Sequence, residues 1–226
     1  MASSYRAPAA SHRYVLDEVR GADRDRFLAA LFAPEPQRSD LLALLAFDHE
    51  LARTRTVTRE PMMARIRLQW WREAVAEAAS EAQPRAQPIV ESLSETVRRH
   101  DLALQHLIAL IDAREEEIDG PLDVVRTGHA LAELQLAVLD VRDADTRRAA
   151  QAVAAAWLMG EGPERAAVVA EARAQRGNVD PRALPILLPA LSLDGLSAWR
   201  KPLAYWWAAR RASTSRSSFP ATGSSS

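Results

Sequence analysis

The chain has no cysteine, which excludes disulfides and thiolate metal sites. It has almost no lysine either. Lys201 is the only one, so arginine supplies nearly all the positive charge. Arginine suits planar anion recognition, but a GC-rich coding bias accounts for its dominance more simply. Glycine is scarce, with 8 in 226 residues, and no alternating stretch is bounded by the Asn-Gly or Asp-Gly turns of β-hairpins. No apolar run reaches the ~18 to 20 residues of a membrane span. The N-terminal stretch carries arginine but no contiguous apolar segment, so no secretory signal is expected. The formal net charge is −1, which argues against a nucleic-acid binder that must neutralise a row of phosphates. What remains is a chain rich in alanine and leucine, with few β-branched runs. That composition favours helices over strands, and the length suits one domain with a real core. The fold class expected is all-α.

The punctuation of the chain sets its expected organisation. Residues 1–20 read as an irregular N-terminus. Asp23 is placed to cap a short helix through Leu31, with Phe27, Leu28 and Leu31 on one face. Pro34 and Pro36 break it, and a long helix is predicted from Ser39 to about Thr58 with Leu41, Leu42, Leu44 and Leu45 inward. Pro61 opens the next helix, whose buried side is read as Met62, Met63, Ile66, Trp70 and Val75. Further helices are predicted over residues 88–99, 103–117, 122–141, 146–159 and 164–175. Pro181, Pro185 and Pro189 allow only short turns, Gly177-Asn178 is a stop, and a last helix ends at Arg211. The resulting expectation is a helical domain over 21–211 and a disordered polar tail over 212–226.

The stretch 27–75 carries the most specific signal. Pro34 and Arg38 precede a helix with Leu44, Ala46 and Phe47, followed by Glu50, Leu51, Pro61 and the run IRLQWW at 66–71. LIDAREEEID at 110–119 and ARAQRGNVDPRALPILLPA at 172–190 extend the pattern. This arrangement resembles the first helical hairpin and later segments of the squalene/phytoene synthase family, over about residues 20–211. The resemblance implies a single helical bundle of the isoprenoid-synthase type. It also implies a chemistry in which two prenyl diphosphates are joined, with magnesium on facing carboxylate clusters assisting departure of the diphosphate.

The chain departs from that pattern where the chemistry would sit. With Phe47 as anchor, the family's first aspartate cluster falls on Ala52, Arg53 and Thr56, and His49 stands at its arginine. None of the three can hold magnesium as an anion, and Arg53 would repel it. The second cluster is expected within 153–176, which offers only Glu161, Glu164 and Glu171. The pattern therefore resembles a branch of the family that lacks the aspartate pair and includes an assembly factor of mitochondrial respiratory complex I. The expected cofactor is none, with magnesium required only if the chain is an active transferase.

The candidate cleft-lining residues are His49, Glu50, Ala52, Arg53, Thr56, Arg67, Gln69 and Trp70. Glu50, Arg53, Arg67 and Arg72 are read either as a polar pocket or as an ordinary salt-bridge network. Asp112, Glu115, Glu116, Glu117 and Asp119 suit a cation site or a solvated helix end. Tyr205, Trp206 and Trp207 with Lys201, Arg210 and Arg211 suit an anionic lipid surface or plain packing. His12, His49, His100, His106 and His129 have no metal-ligand spacing. The expected function is a non-catalytic assembly or lipid- or isoprenoid-binding protein. The alternatives are an active prenyltransferase and a degraded relative with structural or regulatory contacts. The candidate partners are an isoprenoid or lipid ligand, a protein of respiratory-complex assembly and a peripheral membrane contact, with no nucleic acid. The expected location is the cytoplasm, extending to the face of the inner membrane.

Overall fold

A computed structural model describes residues 5–57, 60–80, 82–174, 179–193, 204, 205 and 208 of the chain. Among these residues every regular element is helical. The elements are α1 (Ala9–Ala22), α2 (Arg24–Ala30), α3 (Gln37–Val57), α4 (Pro61–Ala79), α5 (Pro88–His100), α6 (Leu104–Glu116), α7 (Val124–Val138), α8 (Ala144–Leu158) and α9 (Pro163–Ala174). A 3-10 turn at Pro181–Ala183 and two four-residue helices, Leu184–Leu187 and Pro189–Ser192, follow. Their prolines sit in the first turn, where the missing N–H costs nothing.

Helix α3 is the axis of the bundle. Every residue from Asp40 to Asp48 is buried, so this part of the helix is enclosed all round rather than on one stripe. It packs against α1, α2, α4, α5, α6 and α7. The caps are chosen by side-chain chemistry. Asp23, Gln87, Asp123 and Asp143 each accept a backbone N–H at the start of α2, α5, α7 and α8, satisfying donors that have no partner within the helix. Asp101 stops α5 in the left-handed region, with φ 49°.

Several expectations from the sequence are corrected here. The segment read as irregular over residues 1–20 contains α1, which buries Ser11, Val15 and Val19 at fourfold spacing. Its short apolar stripe is weak in isolation. Side-chain bonds to α5 anchor it: the Ala7 N–H donates to Glu95 at 2.8 Å, the Ser11 hydroxyl donates to Glu91, and His12 Nε2 lies 3.0 Å from Glu95.

The buried face of α4 is also different from that read. It consists of Ala64, Leu68, Trp71, Ala74, Val75 and Ala78. Met62, Met63 and Ile66 are 67%, 50% and 56% exposed. The alanines let α4 lie close to its neighbours, so the small residues mark the inside and the larger apolar ones are left outside. Leu31 is likewise exposed, while Phe27 is buried. The stop at Gly177-Asn178, the helix ending at Arg211 and the tail 212–226 lie outside the described residues. Tyr205 is described and does not face a lipid surface. It is fully buried, 6.3 Å from the Phe32 ring, with its hydroxyl 2.5 Å from that of Ser192. Burial pushes its phenol up to about 12. Its companions Lys201, Trp206, Trp207, Arg210 and Arg211 lie outside the described residues.

The tryptophan pair shows how α4 is set. Trp71 is 2% exposed and meets Phe47 edge-on at 5.4 Å, whereas Trp70 is half-buried and covered by the Arg85 guanidinium at 5.0 Å. Trp71→Ala should lower the unfolding free energy by about 3 to 5 kcal/mol and Trp70→Ala by much less. Equal shifts in urea denaturation would contradict this placement. Helices α7 and α8 approach closely at Gly128, where a Cβ would meet the Ala155 backbone nitrogen at 2.4 Å. Gly128→Ala must therefore push two backbones apart, and we expect a loss of roughly 2 kcal/mol or more, read from the same denaturation curves.

Candidate functional site

The site begins at the end of the enclosed stretch of α3. Asp48 follows Phe47 directly and is 2% exposed. A carboxylate so deep in an apolar run requires compensating charge. It receives two arginines. Arg26 of α2 reaches it at 3.1 Å and Arg114 of α6 at 3.5 Å. Arg26 also pairs with Asp23 through its Nε and lies over the Trp157 ring of α8 at 5.7 Å. The Trp157 indole N–H donates to Asp23 at 3.0 Å. His49 Nε2 lies 3.0 Å from Arg26 and 3.8 Å from Asp23. Arg114 continues to Glu117 at 3.0 Å, and Arg55 joins Glu117 at 3.3 Å. Four helices, α2, α3, α6 and α8, are thus tied by one network of alternating charge.

The network fixes the protonation of its acids. Burial pushes the Asp48 carboxyl up, but the charges of Arg26 and Arg114 outweigh it and hold the group below the usual carboxylate range. Asp23 behaves alike: burial raises it, and its contacts with His49 and Arg26 bring it well below that range. Burial lowers Arg26, and the two aspartates raise it above its ordinary value. Both carboxylates are ionised and both have their charge matched within the protein.

The residues expected to line a cleft are not gathered into one. Ala52 is half-buried and Arg53 exposed on α3. Arg53 pairs with Glu50 at 2.6 Å and Glu18 of α1 at 3.1 Å. The Thr56 side chain lies outside the described residues. Arg67 and Gln69 are exposed on α4, and Gln69 donates to Glu73 at 3.2 Å. Arg72 binds Asp112 at 2.6 Å and Glu115 at 2.7 Å, so the Glu50, Arg53, Arg67 and Arg72 set is not one pocket. Of the expected residues, only His49 joins the buried network. Gln69 and Trp70 line a groove of about 430 Å³ between α4 and α6, with Arg65, Ile66, Glu73 and Glu115.

The acidic run of α6 is also matched residue by residue. Asp112 and Glu115 meet Arg72, Glu116 meets Arg126 at 2.7 Å, and Asp119 meets Arg65 at 2.6 Å. Among the described residues no three His, Asp or Glu side chains are arranged to hold a metal ion. The donor set does not fit magnesium. The positions that the family resemblance assigns to the first cluster carry Ala52 and Arg53, and the nearby described carboxylates already face guanidinium groups that a divalent cation would have to displace.

Comparison with known proteins covers the stretch that forms α2 to α8. The squalene/phytoene synthase family model matches residues 19–160. The chain belongs to the squalene/phytoene synthase family. Among curated relatives it is similar to "NADH dehydrogenase (ubiquinone) complex I, assembly factor 6" of Rattus norvegicus, with 32% identity over 149 residues, 62% of this chain and 44% of the relative. The protein of the same name from Bos taurus is 33% identical over 107 residues, 47% of this chain and 32% of the relative. That from Homo sapiens is 30% identical over 106 residues, 47% and 32% of the two chains. The chain thus spans less than half the length of these relatives.

Sequence reasoning found Asp23 only as a helix cap and overlooked Arg26, Asp48, Arg114 and Trp157. The available signal was Asp48 itself, a carboxylate continuing an unbroken apolar run. Its partners are far apart in the chain, so only the fold brings them together. Removing one charge from such a network leaves the others buried and unmatched, which costs about 3 to 5 kcal/mol. Asp48→Asn should lose that much at neutral pH. Both aspartates are depressed in the folded state, so their stabilisation is complete above the unfolded value near ~3.9 and declines as pH falls below it. The unsubstituted protein should therefore lose stability steeply below about pH 4, and the Asp48→Asn variant less steeply. Denaturation midpoints across pH 3 to 8, read against ~3.9 as the unfolded reference, measure both.

Proposed function

We propose that this chain is a non-catalytic member of the family that serves assembly of a respiratory complex. The observation that carries this reading is the internal neutralisation of Asp48 and Asp23. Diphosphate departure requires concentrated positive charge held by free anionic ligands, worth several kcal/mol in the transition state. Here Asp48 and Asp23 hold Arg26 and Arg114 instead, and Ala52 and Arg53 stand where ligands would be. The matching supports the bundle at the point where the chemistry would otherwise be built.

The relatives' names support the assembly reading and its pathway, respiratory complex I. Since the chain covers only part of those proteins, the role rests on the shared domain. No described helix is long and apolar enough to cross a membrane. Action at the cytoplasmic face of the inner membrane, in contact with a membrane-bound complex, is the setting that agrees with this reading.

The test joins chemistry to assembly. Purified protein incubated with magnesium and farnesyl or geranylgeranyl diphosphate should release no pyrophosphate above a heat-treated control. Deleting the chain from its host should lower the amount of fully assembled complex I on native gels. Chelator-sensitive pyrophosphate release would overturn the non-catalytic reading. Unchanged complex I in the deletion strain would overturn the assembly role.

A further inference from the structure

Among the described histidines that have a ring partner, His49 is the one that meets an arginine. Its side chain is 12% exposed, and its Nε2 lies 3.0 Å from Arg26 Nη2. A guanidinium offers donors and no acceptor, so at this distance the ring nitrogen accepts. Nε2 therefore carries no hydrogen, and the imidazole is neutral with its proton on Nδ1. His12 and His100 are placed differently. Each turns Nε2 to a carboxylate, Glu95 at 3.0 Å and Asp40 at 2.8 Å, where a hydrogen on that nitrogen is required.

A second partner stands close to the His49 ring. Asp23 Oδ2 is 3.8 Å from the same Nε2, beyond hydrogen-bond distance. That oxygen is taken by Arg26 Nε and by the Trp157 indole N–H at 3.0 Å. The charges around the ring are Asp23 and Arg26 from α2 and Asp48 from α3 itself, with Arg114 of α6 beyond Asp48. Glu18 of α1 and Glu50 are paired with Arg53, and α8 contributes the uncharged Trp157. A proton on Nε2 reverses its role from acceptor to donor. The contact with Arg26 Nη2 then sets donor against donor and cation against cation, while the approach to Asp23 becomes a charge-assisted hydrogen bond. In the acid range where Asp23 itself titrates, the ring acts on it in this second sense and helps to hold its carboxyl well below the usual range.

We infer that His49 is a proton-operated switch at the junction of α2, α3 and α8. Neutral, it accepts from Arg26. Protonated from solvent, it takes Asp23 as its acceptor and releases Arg26 Nη2. Arg26 keeps Asp48 through Nη1 at 3.1 Å, so the buried centre stays matched. What changes is the outer half of the network: the Arg26 guanidinium over the Trp157 ring at 5.7 Å, and the indole bond to Asp23. These are the contacts that tie α8 to α2 here, so acidification loosens α8 at this point. The switch stands apart from the assembly role and from the absence of catalysis.

Nuclear magnetic resonance on the full chain, isotope-labelled in histidine and tryptophan, tests it from about pH 5 to 8, where imidazoles ordinarily change charge. The His49 signals are identified by their loss in His49→Gln, and the Trp157 indole signal by its loss in Trp157→Phe. At the alkaline end the His49 nitrogen shifts should show a protonated Nδ1 and a bare Nε2. On acidification the ring protonation and the displacement of the Trp157 indole N–H should share one midpoint. Glutamine can accept from Arg26 but takes up no proton, so His49→Gln should keep the fold and abolish the pH response of Trp157. A hydrogen on Nε2 at the alkaline end overturns the inference. So does a ring that stays neutral across the range, a Trp157 signal that ignores its titration, or a Trp157 response that survives in His49→Gln. Should that variant fail to fold, backbone correlations assign the ring in the unsubstituted protein, where the tautomer and the shared midpoint decide.

Discussion

Asp48 held between Arg26 and Arg114 is the contact on which the rest of the bundle depends. It sits at the end of the fully enclosed stretch of α3, and its two arginines come from α2 and α6. Asp23 and Trp157 extend the same contact to α8. Buried ion pairs of this kind contribute little net stability compared with well-packed apolar side chains, yet removing one partner costs several kcal/mol. Their value here is registration. The planar fork of each guanidinium favours particular placements of its carboxylates, and these tie together the helices that carry them.

The packing around this centre relies on small side chains. Alanines at 64, 74 and 78 admit α4 to the core, and Gly128 allows α7 to meet the Ala155 backbone of α8. Close helix approach at Gly128 and charge matching at Asp48 together set how these helices meet.

Much of the fold was legible in the sequence because its signals were local. Asp23 as a cap, Pro61 and Pro88 as helix starts, and the leucines of α3 all act within a turn or two of themselves. The family hairpin was legible too, through residues 44–47 and 66–71. The inner face of α4 was not, because methionine and isoleucine outweigh alanine in any hydrophobic pattern, and only tertiary packing shows that alanine is what the site admits. α1 was missed for a related reason: its anchors, Glu91 and Glu95, lie some eighty residues away. The candidate site was half legible. The absence of carboxylates at Ala52 and Arg53 could be read directly, whereas the pairing of Asp48 with Arg26 and Arg114 spans 22 and 66 residues of chain.

The central claim is that Asp48 and Asp23 are neutralised from within and not poised for a divalent cation. The direct measurement is the carboxyl carbon chemical shift of Asp48 and Asp23 by nuclear magnetic resonance, followed through pH with and without millimolar magnesium. The account predicts that both remain ionised well below the ordinary aspartate value of ~3.9 and that magnesium leaves their shifts unmoved. Titration at the ordinary value, or a saturable change on adding magnesium, would contradict it.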